Sequence, residues 1–172
     1  MNKHLQRPAR AFGAAAAGAI LLVVAILTGG RVSAEAPAAA EVDVKVVVTA
    51  PAAPLPAGSR GETTLLLTPP NGIHINRYPP VTLKLQAPPG IKLDAPELKQ
   101  GSPTPIDDPE DFPFKVIEPM KIGFSVDPAA PQGKARVSGK LNFVYCIARS
   151  GYCQRTTRDV GFDVTVAPPR TN

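Results

Sequence analysis

Cys146 and Cys153 are the only cysteines in the 172-residue chain, and the six residues between them, "IARSGY", include a glycine. Two thiols at that separation either close an inert staple across a turn or alternate between dithiol and disulfide and carry two electrons. If they face each other on neighbouring antiparallel strands, Ile147 opposes Tyr152 and residues 148–151 become a four-residue loop. Gly151 then sits where such loops commonly need a positive φ. Directly opposed residues of a non-hydrogen-bonded pair lie about 4.5 Å apart at Cα, and a disulfide accepts roughly 4.4 to 6.8 Å. A bridge is feasible, and closing an eight-residue loop would stabilise the fold by roughly 2 to 3 kcal/mol in the chain-entropy model.

Strand alternation decides where the sulfurs point. Leu141, Phe143, Tyr145 and Ile147 share one parity, whereas Lys140, Asn142, Val144 and Cys146 share the other. On the return strand Val160, Phe162, Val164 and Val166 form the apolar set, and Cys153, Arg155, Thr157, Asp159, Asp163 and Thr165 alternate with them. Both cysteines fall on the polar parity, so the sulfurs are expected near the surface unless a bulge resets the count. Exposure is what exchange requires, because a thiolate must approach one sulfur in line. Arg149, Arg155 and Arg158 add positive charge near the hairpin, which favours a thiolate. Spacing and parity leave the inert and the exchanging pair both open.

Other residue types offer less. His74 is the only histidine beyond residue 4, too little for a His-rich metal site or a Ser-His-Asp triad. In "GIHIN" it alternates with Ile73 and Ile75 and should face away from them. Asp107, Asp108, Glu110 and Asp111 could attract calcium, but the prolines among them and the missing loop register favour a solvated or partner-facing surface. No glycine-rich phosphate loop or dinucleotide fingerprint occurs, so no cofactor and no metal are expected.

The elements that must position the cysteines read as short β segments broken by proline. They fall at residues 42–49, 62–68, 72–76, 81–86, 120–126, 135–145 and 159–166, several alternating apolar with polar residues. Twenty-one prolines leave no window past residue 40 for an amphipathic helix. About seven strands at this spacing predict an all-β, immunoglobulin-like antiparallel β-sandwich. Residues 88–119, with eight prolines and the acidic stretch "IDDPEDFPF", are too broken for a central strand. They are either a solvated connection or an ordered binding loop whose two phenylalanines cover something.

Residues 1–34 read as an export signal: Lys3, Arg7 and Arg10 at the head, an apolar run over 11–28, and small residues at 32–34. The alternative is an N-terminal membrane anchor. Residues 35–40 are a flexible leader, 41–168 the domain and 169–172 a tail. Without the first 34 residues the chain has 15 basic and 14 acidic side chains, a net charge of +1. The basic pI therefore belongs to the targeting segment and gives no support for a nucleic-acid partner. Two cysteines in an exported chain are expected to pair.

Taken in order, "GIHIN" with "PPVTLKL", "DDPEDFPF", "MKIGFSV" and "FVYCIARSGYC" resemble the N-terminal periplasmic domain of the thiol:disulfide interchange protein DsbD, over Val42 to Val166. The resemblance implies an immunoglobulin-like sandwich in which Cys146 and Cys153 are the redox pair. They would relay electrons from a membrane thiol reductant transporter to extracytoplasmic thioredoxin-like proteins. It also implies an aromatic cap over the disulfide, Phe112 or alternatively Phe114, and a partner-facing surface of Asp111, Arg149 and Tyr152. Two features depart from the family: a slightly wider cysteine spacing and no proline soon after the second cysteine. The expected protein is a periplasmic or otherwise exported monomer whose membrane partner is a separate chain. The alternatives are a secreted binding module with a purely structural disulfide, and an assembly factor that uses exposed strand edges.

Overall fold

Proline and glycine cut the chain into short extended pieces, and pairing between distant pieces makes the sheets. The computed structural model describes residues 42–168. Its strands are β1 Lys45–Thr49, β2 Leu55–Pro56, β3 Arg60–Thr68, β4 Ile73–Ile75, β5 Val81–Gln86, β6 Ile91–Leu93, β7 Glu97–Gln100, β8 Met120–Val126, β9 Gly133–Ile147 and β10 Cys153–Ala167. The expected export signal, leader and tail lie outside the described residues. Among the described residues no helix is long and apolar enough to cross a membrane.

All seven expected segments are strands, and those at 81–86 and 120–126 begin and end where the alternation does. β9 and β10 run longer than their apolar patterns because their mutual pairing continues to the cysteines. The proline-broken region contributes β6 and β7, each at a sheet edge, where a strand needs only one hydrogen-bonded neighbour. The rest of it is irregular apart from a 3-10 turn at Pro109–Asp111, whose Asp108 carboxylate accepts from the Glu110 N–H (2.9 Å).

One sheet has the order β1-β3-β8-β6 and the other β2-β10-β9-β5-β7, with β4 added along the end of β9. Lettered A to G in chain order, β1, β3, β5, β6, β8, β9 and β10 give A-B-E-D in one sheet and G-F-C in the other. This is the immunoglobulin-like arrangement. Antibody domains staple B to F across the two sheets, whereas the bridge here joins F to G within one sheet.

The inward faces meet in one apolar layer. Leu65, Leu67, Ile122, Phe124 and Val126 come from the first sheet; Val81, Leu83, Val137, Leu141, Phe143, Tyr145, Phe162 and Val164 come from the second. Phe124 and Phe162 meet across the layer with ring centroids 5.7 Å apart. Each such side chain contributes about 1.5 to 3 kcal/mol of apolar burial. This layer seats β9 and β10, whose pairing continues past it to the cysteines.

Candidate functional site

β9 and β10 pair in unbroken register from Gly133 opposite Val166 to Cys146 opposite Cys153. Opposed residues on their outward face form a ladder. Arg136 Nη1 lies 3.0 Å from Asp163 Oδ1, Lys140 Nζ lies 2.8 Å from Asp159 Oδ1, and Thr157 Oγ1 donates to Asn142 Oδ1 at 2.7 Å. Val144 opposite Arg155 is the next rung, and the last is the Cys146–Cys153 disulfide, with Cα atoms 4.0 Å apart. No bulge intervenes, so the sulfurs keep the polar parity. Cys153 is exposed and Cys146 half-buried, while Tyr145 on the opposite parity is sealed in the core.

The turn closes as the spacing predicts. The Ile147 N–H donates to the Tyr152 carbonyl (2.8 Å), and the Ser150 and Gly151 N–H groups both donate to the Ile147 carbonyl (3.2 and 2.9 Å). Gly151 has φ of +68°, a conformation that costs glycine nothing.

A third strand, unforeseen beside the cysteines, completes the site. β4 pairs with β9 on the edge away from β10, placing Ile73 opposite Ile147, His74 opposite Cys146 and Ile75 opposite Tyr145. Ile75 is buried and His74 exposed, as their alternation requires. His74, Cys146 and Cys153 therefore stand in one row across three strands, on one face of the sheet. Cys146 Sγ also lies 3.3 Å from Asn76 Oδ1, and Cys153 Sγ lies 3.6 Å from the Gly151 carbonyl oxygen. A disulfide sulfur has no proton to donate, so these are contacts of the oxidised pair. After reduction each thiol finds an oxygen acceptor already in place.

The acidic loop hangs on the same strand. The Arg77 N–H donates to the Phe112 carbonyl (2.6 Å), the Ser102 N–H donates to the Arg77 carbonyl (2.7 Å), and the Phe114 N–H donates to the Ile75 carbonyl (2.9 Å). Pro113 forms a bridge with Asn76, the residue against Cys146. Arg77 Nη1 adds a long bond to the Asp111 carbonyl, at 3.5 Å. Gly101 makes this docking possible: its φ is +117°, and a Cβ there would collide with the Arg77 carbonyl.

The two aromatic candidates separate here. Phe114 packs against the edge of the core, whereas Phe112 is 41% exposed. Asp111 pairs with Lys115 at 3.5 Å, both being surface groups. Arg149 is exposed in the turn and Tyr152 is 49% exposed next to Cys153. Together with Tyr78, beside Arg77, Phe112 and Tyr152 are the exposed aromatic side chains among the described residues. All three belong to the segments around the disulfide. One expected contributor is corrected: Arg158 has the parity of Thr156 and Val160 and pairs in register with Leu141, so it lies on the face opposite the sulfurs. Arg155 keeps the cysteine parity.

Away from the sulfurs, a concavity of about 980 Å³ lies against the other end of the hairpin, lined by Lys84, Arg136, Lys140 and Asp159 among others. No cysteine lines it. No family model matches the chain, and no curated protein matches it. Among solved structures, murine CRIg is similar at 10% identity over 72% of this chain and 98% of that one, with a TM-score of 0.36.

Proposed function

We propose that this protein is an exported thiol–disulfide exchange domain of the DsbD N-terminal type. It takes electrons from a membrane thiol reductant transporter and passes them to thioredoxin-like proteins. The observation that carries this is the position of the disulfide: it is the outermost rung of a hairpin whose core ends at Tyr145, with Cys153 open to solvent. A sulfur so placed can be reached in line by a partner thiol, and exposed bridges are the labile ones.

In the reduced domain the Cys153 thiolate attacks one sulfur of a partner disulfide, and the partner's other sulfur leaves as a thiolate and takes up a proton. Cys146 then loses its proton and attacks Cys153 Sγ, expelling the second partner sulfur, which is protonated in turn. The partner gains two electrons and two protons, and the Cys146–Cys153 bond re-forms. Exposure favours Cys153 for the first attack, with Cys146, half-buried between Asn76 and the bridge, as the resolving thiol. Phe112, on a loop anchored to the strand beside Cys146, shields the pair from unrelated thiols. Asp111, Arg149 and Tyr152 face the partner. The sulfurs need no cofactor, and the domain acts as a monomer.

The test is covalent trapping with a purified thioredoxin-fold protein oxidised at its Cys-x-x-Cys motif. Cys146→Ala should accumulate a dithiothreitol-sensitive heterodimer, and Cys153→Ala should give much less. Absence of any heterodimer from either variant would rule out the relay.

A second reading is favoured by the exposed aromatics. Tyr152, Phe112 and Tyr78 at one end of the sandwich, beside an F–G hairpin tip, suit a binding module in which the disulfide only stiffens the turn. Such a domain would bind its partner equally well with both cysteines replaced by serine.

A further inference from the structure

We propose that His74 is the base that takes the proton from Cys146 when this thiol resolves the mixed disulfide at Cys153, and returns it when the bridge is reduced. This rests on the exchange chemistry proposed above. It goes beyond it by assigning a proton-handling group to a reaction that otherwise consists of two sulfurs alone.

The register carries the argument. His74 is paired directly with Cys146, and Cys146 with Cys153, so the three side chains rise from one face in adjacent strands. The flanking bonds, Asn76 N–H to the Val144 carbonyl and Ala148 N–H to the Gly72 carbonyl, both 2.9 Å, make His74–Cys146 a hydrogen-bonded pair. Cα atoms of such pairs lie about 5.5 Å apart, within reach of an imidazole for a sulfur on the neighbouring strand. Imidazole is the side chain that both accepts and gives a proton near neutral pH. A thiol must ionise to attack, and a neighbouring imidazolium holds the resulting thiolate.

The other charged groups around Cys146 do not fill this role. From β10, Arg155 shares the sulfurs' face, Arg149 lies in the turn, and Arg77 sits at the loop anchor. A guanidinium stabilises a thiolate but takes no proton. Asp111, on the docked loop, is engaged by Lys115. Asn76 touches the sulfur and can orient the thiol, but an amide is no base. That leaves His74, which is exposed on the face that carries the sulfurs.

The step balances without a further reactant. In the adduct of Cys153 with a small disulfide, the Cys146 S–H proton moves to His74, and the Cys146 thiolate forms a bond to Cys153 Sγ. The bond from Cys153 Sγ to the outer sulfur breaks, and the departing thiolate collects a proton from the imidazolium or from water.

The experiment follows the lifetime of that adduct. The reduced full-length protein is mixed with oxidised glutathione, quenched with acid at intervals, and the Cys153–glutathione species is quantified by mass spectrometry. Phe112 and its loop set the rate of adduct formation in every variant alike, so only the lifetime is compared. With His74→Gln the adduct should persist on the order of 100-fold longer at pH 7, the usual contribution of a positioned base. The difference should close above about pH 9, where a thiol ionises unaided. Added free imidazole should shorten the His74→Gln lifetime and leave that of Arg155→Gln unchanged. Equal lifetimes in wild type and His74→Gln at pH 7 would overturn the assignment while leaving exchange intact. If neither wild type nor His74→Gln forms the adduct or acquires the Cys146–Cys153 bond with release of reduced glutathione, exchange itself falls and the assignment falls with it.

Discussion

The two ends of the β9–β10 hairpin share strands, register and alternation, yet they are built for different ends. At the base, the inward side chains Val137, Phe162 and Val164 are sealed between the sheets, and the outward rungs Arg136–Asp163 and Lys140–Asp159 are ion pairs. At the tip, the inward side ends at Tyr145 and half-buried Ile147, β4 pairs with β9 over only three residues, and the outward rung is a disulfide with one exposed cysteine. Stability is concentrated where both faces are occupied. The disulfide stands where the core ends, beside His74 and Asn76. One hairpin therefore carries ion pairs over a sealed core at its base and, at its last rung, the bond to which exchange is assigned in the proposal above.

This contrast can be broken from either end. Phe162→Ala removes a ring that meets Phe124 across the core and should lower the free energy of unfolding by about 3 to 5 kcal/mol in a urea titration. The reduction potential of the folded variant should stay unchanged. Replacing both cysteines with serine should cost only roughly 2 to 3 kcal/mol, the loop-closure contribution, while abolishing all exchange. Gly101→Ala attacks the loop anchor: its left-handed φ and the Arg77 carbonyl leave no room for a methyl group. It should cost about 1 to 3 kcal/mol and speed reduction of the bridge by small thiols as the loop loosens. Phe112→Ala should produce the same acceleration with less than about 0.5 kcal/mol of destabilisation, since its ring is exposed.

The smallest effect lies far from the sulfurs, on the β7 edge. Lys99, by a hydrogen bond and by its charge, and Lys84, more weakly, hold the Glu97 carboxyl below its ordinary value of 4.5. A depressed carboxylate stabilises the fold above the unfolded pKa and loses that contribution as pH falls through the folded one. Wild type and Glu97→Gln should thus differ slightly near neutrality and converge in acid-induced unfolding. Exposure keeps the difference small.

The cysteine hairpin was legible because it is local: seven residues of separation, one glycine and the alternation of 140–147 are enough to set its pairing and the face of its sulfurs. β4 was legible as a strand but not as the neighbour of Cys146, because nothing in "GIHIN" records which strand, some seventy residues away, it will join. The sequence therefore shows His74 only as a single histidine facing away from Ile73 and Ile75. Arg158 shows the complementary limit: closeness along the chain is not closeness in space, and one step of strand parity puts it on the face opposite the sulfurs. Arg77 escaped notice because it anchors the acidic loop mainly through its backbone N–H and carbonyl, which every residue carries. The pattern also could not tell that β5 and β6, a few residues apart, enter different sheets.

The claim on which the rest depends is that the bridge at the tip exchanges. Its reduction potential, measured by equilibrating the folded protein against graded ratios of reduced and oxidised dithiothreitol or glutathione, tests that claim most directly. A value less negative than about −300 mV is expected for an accessible, exchanging bond. A value well below that, unchanged in Phe112→Ala, would mark Cys146–Cys153 as a structural staple and the domain as a recognition module.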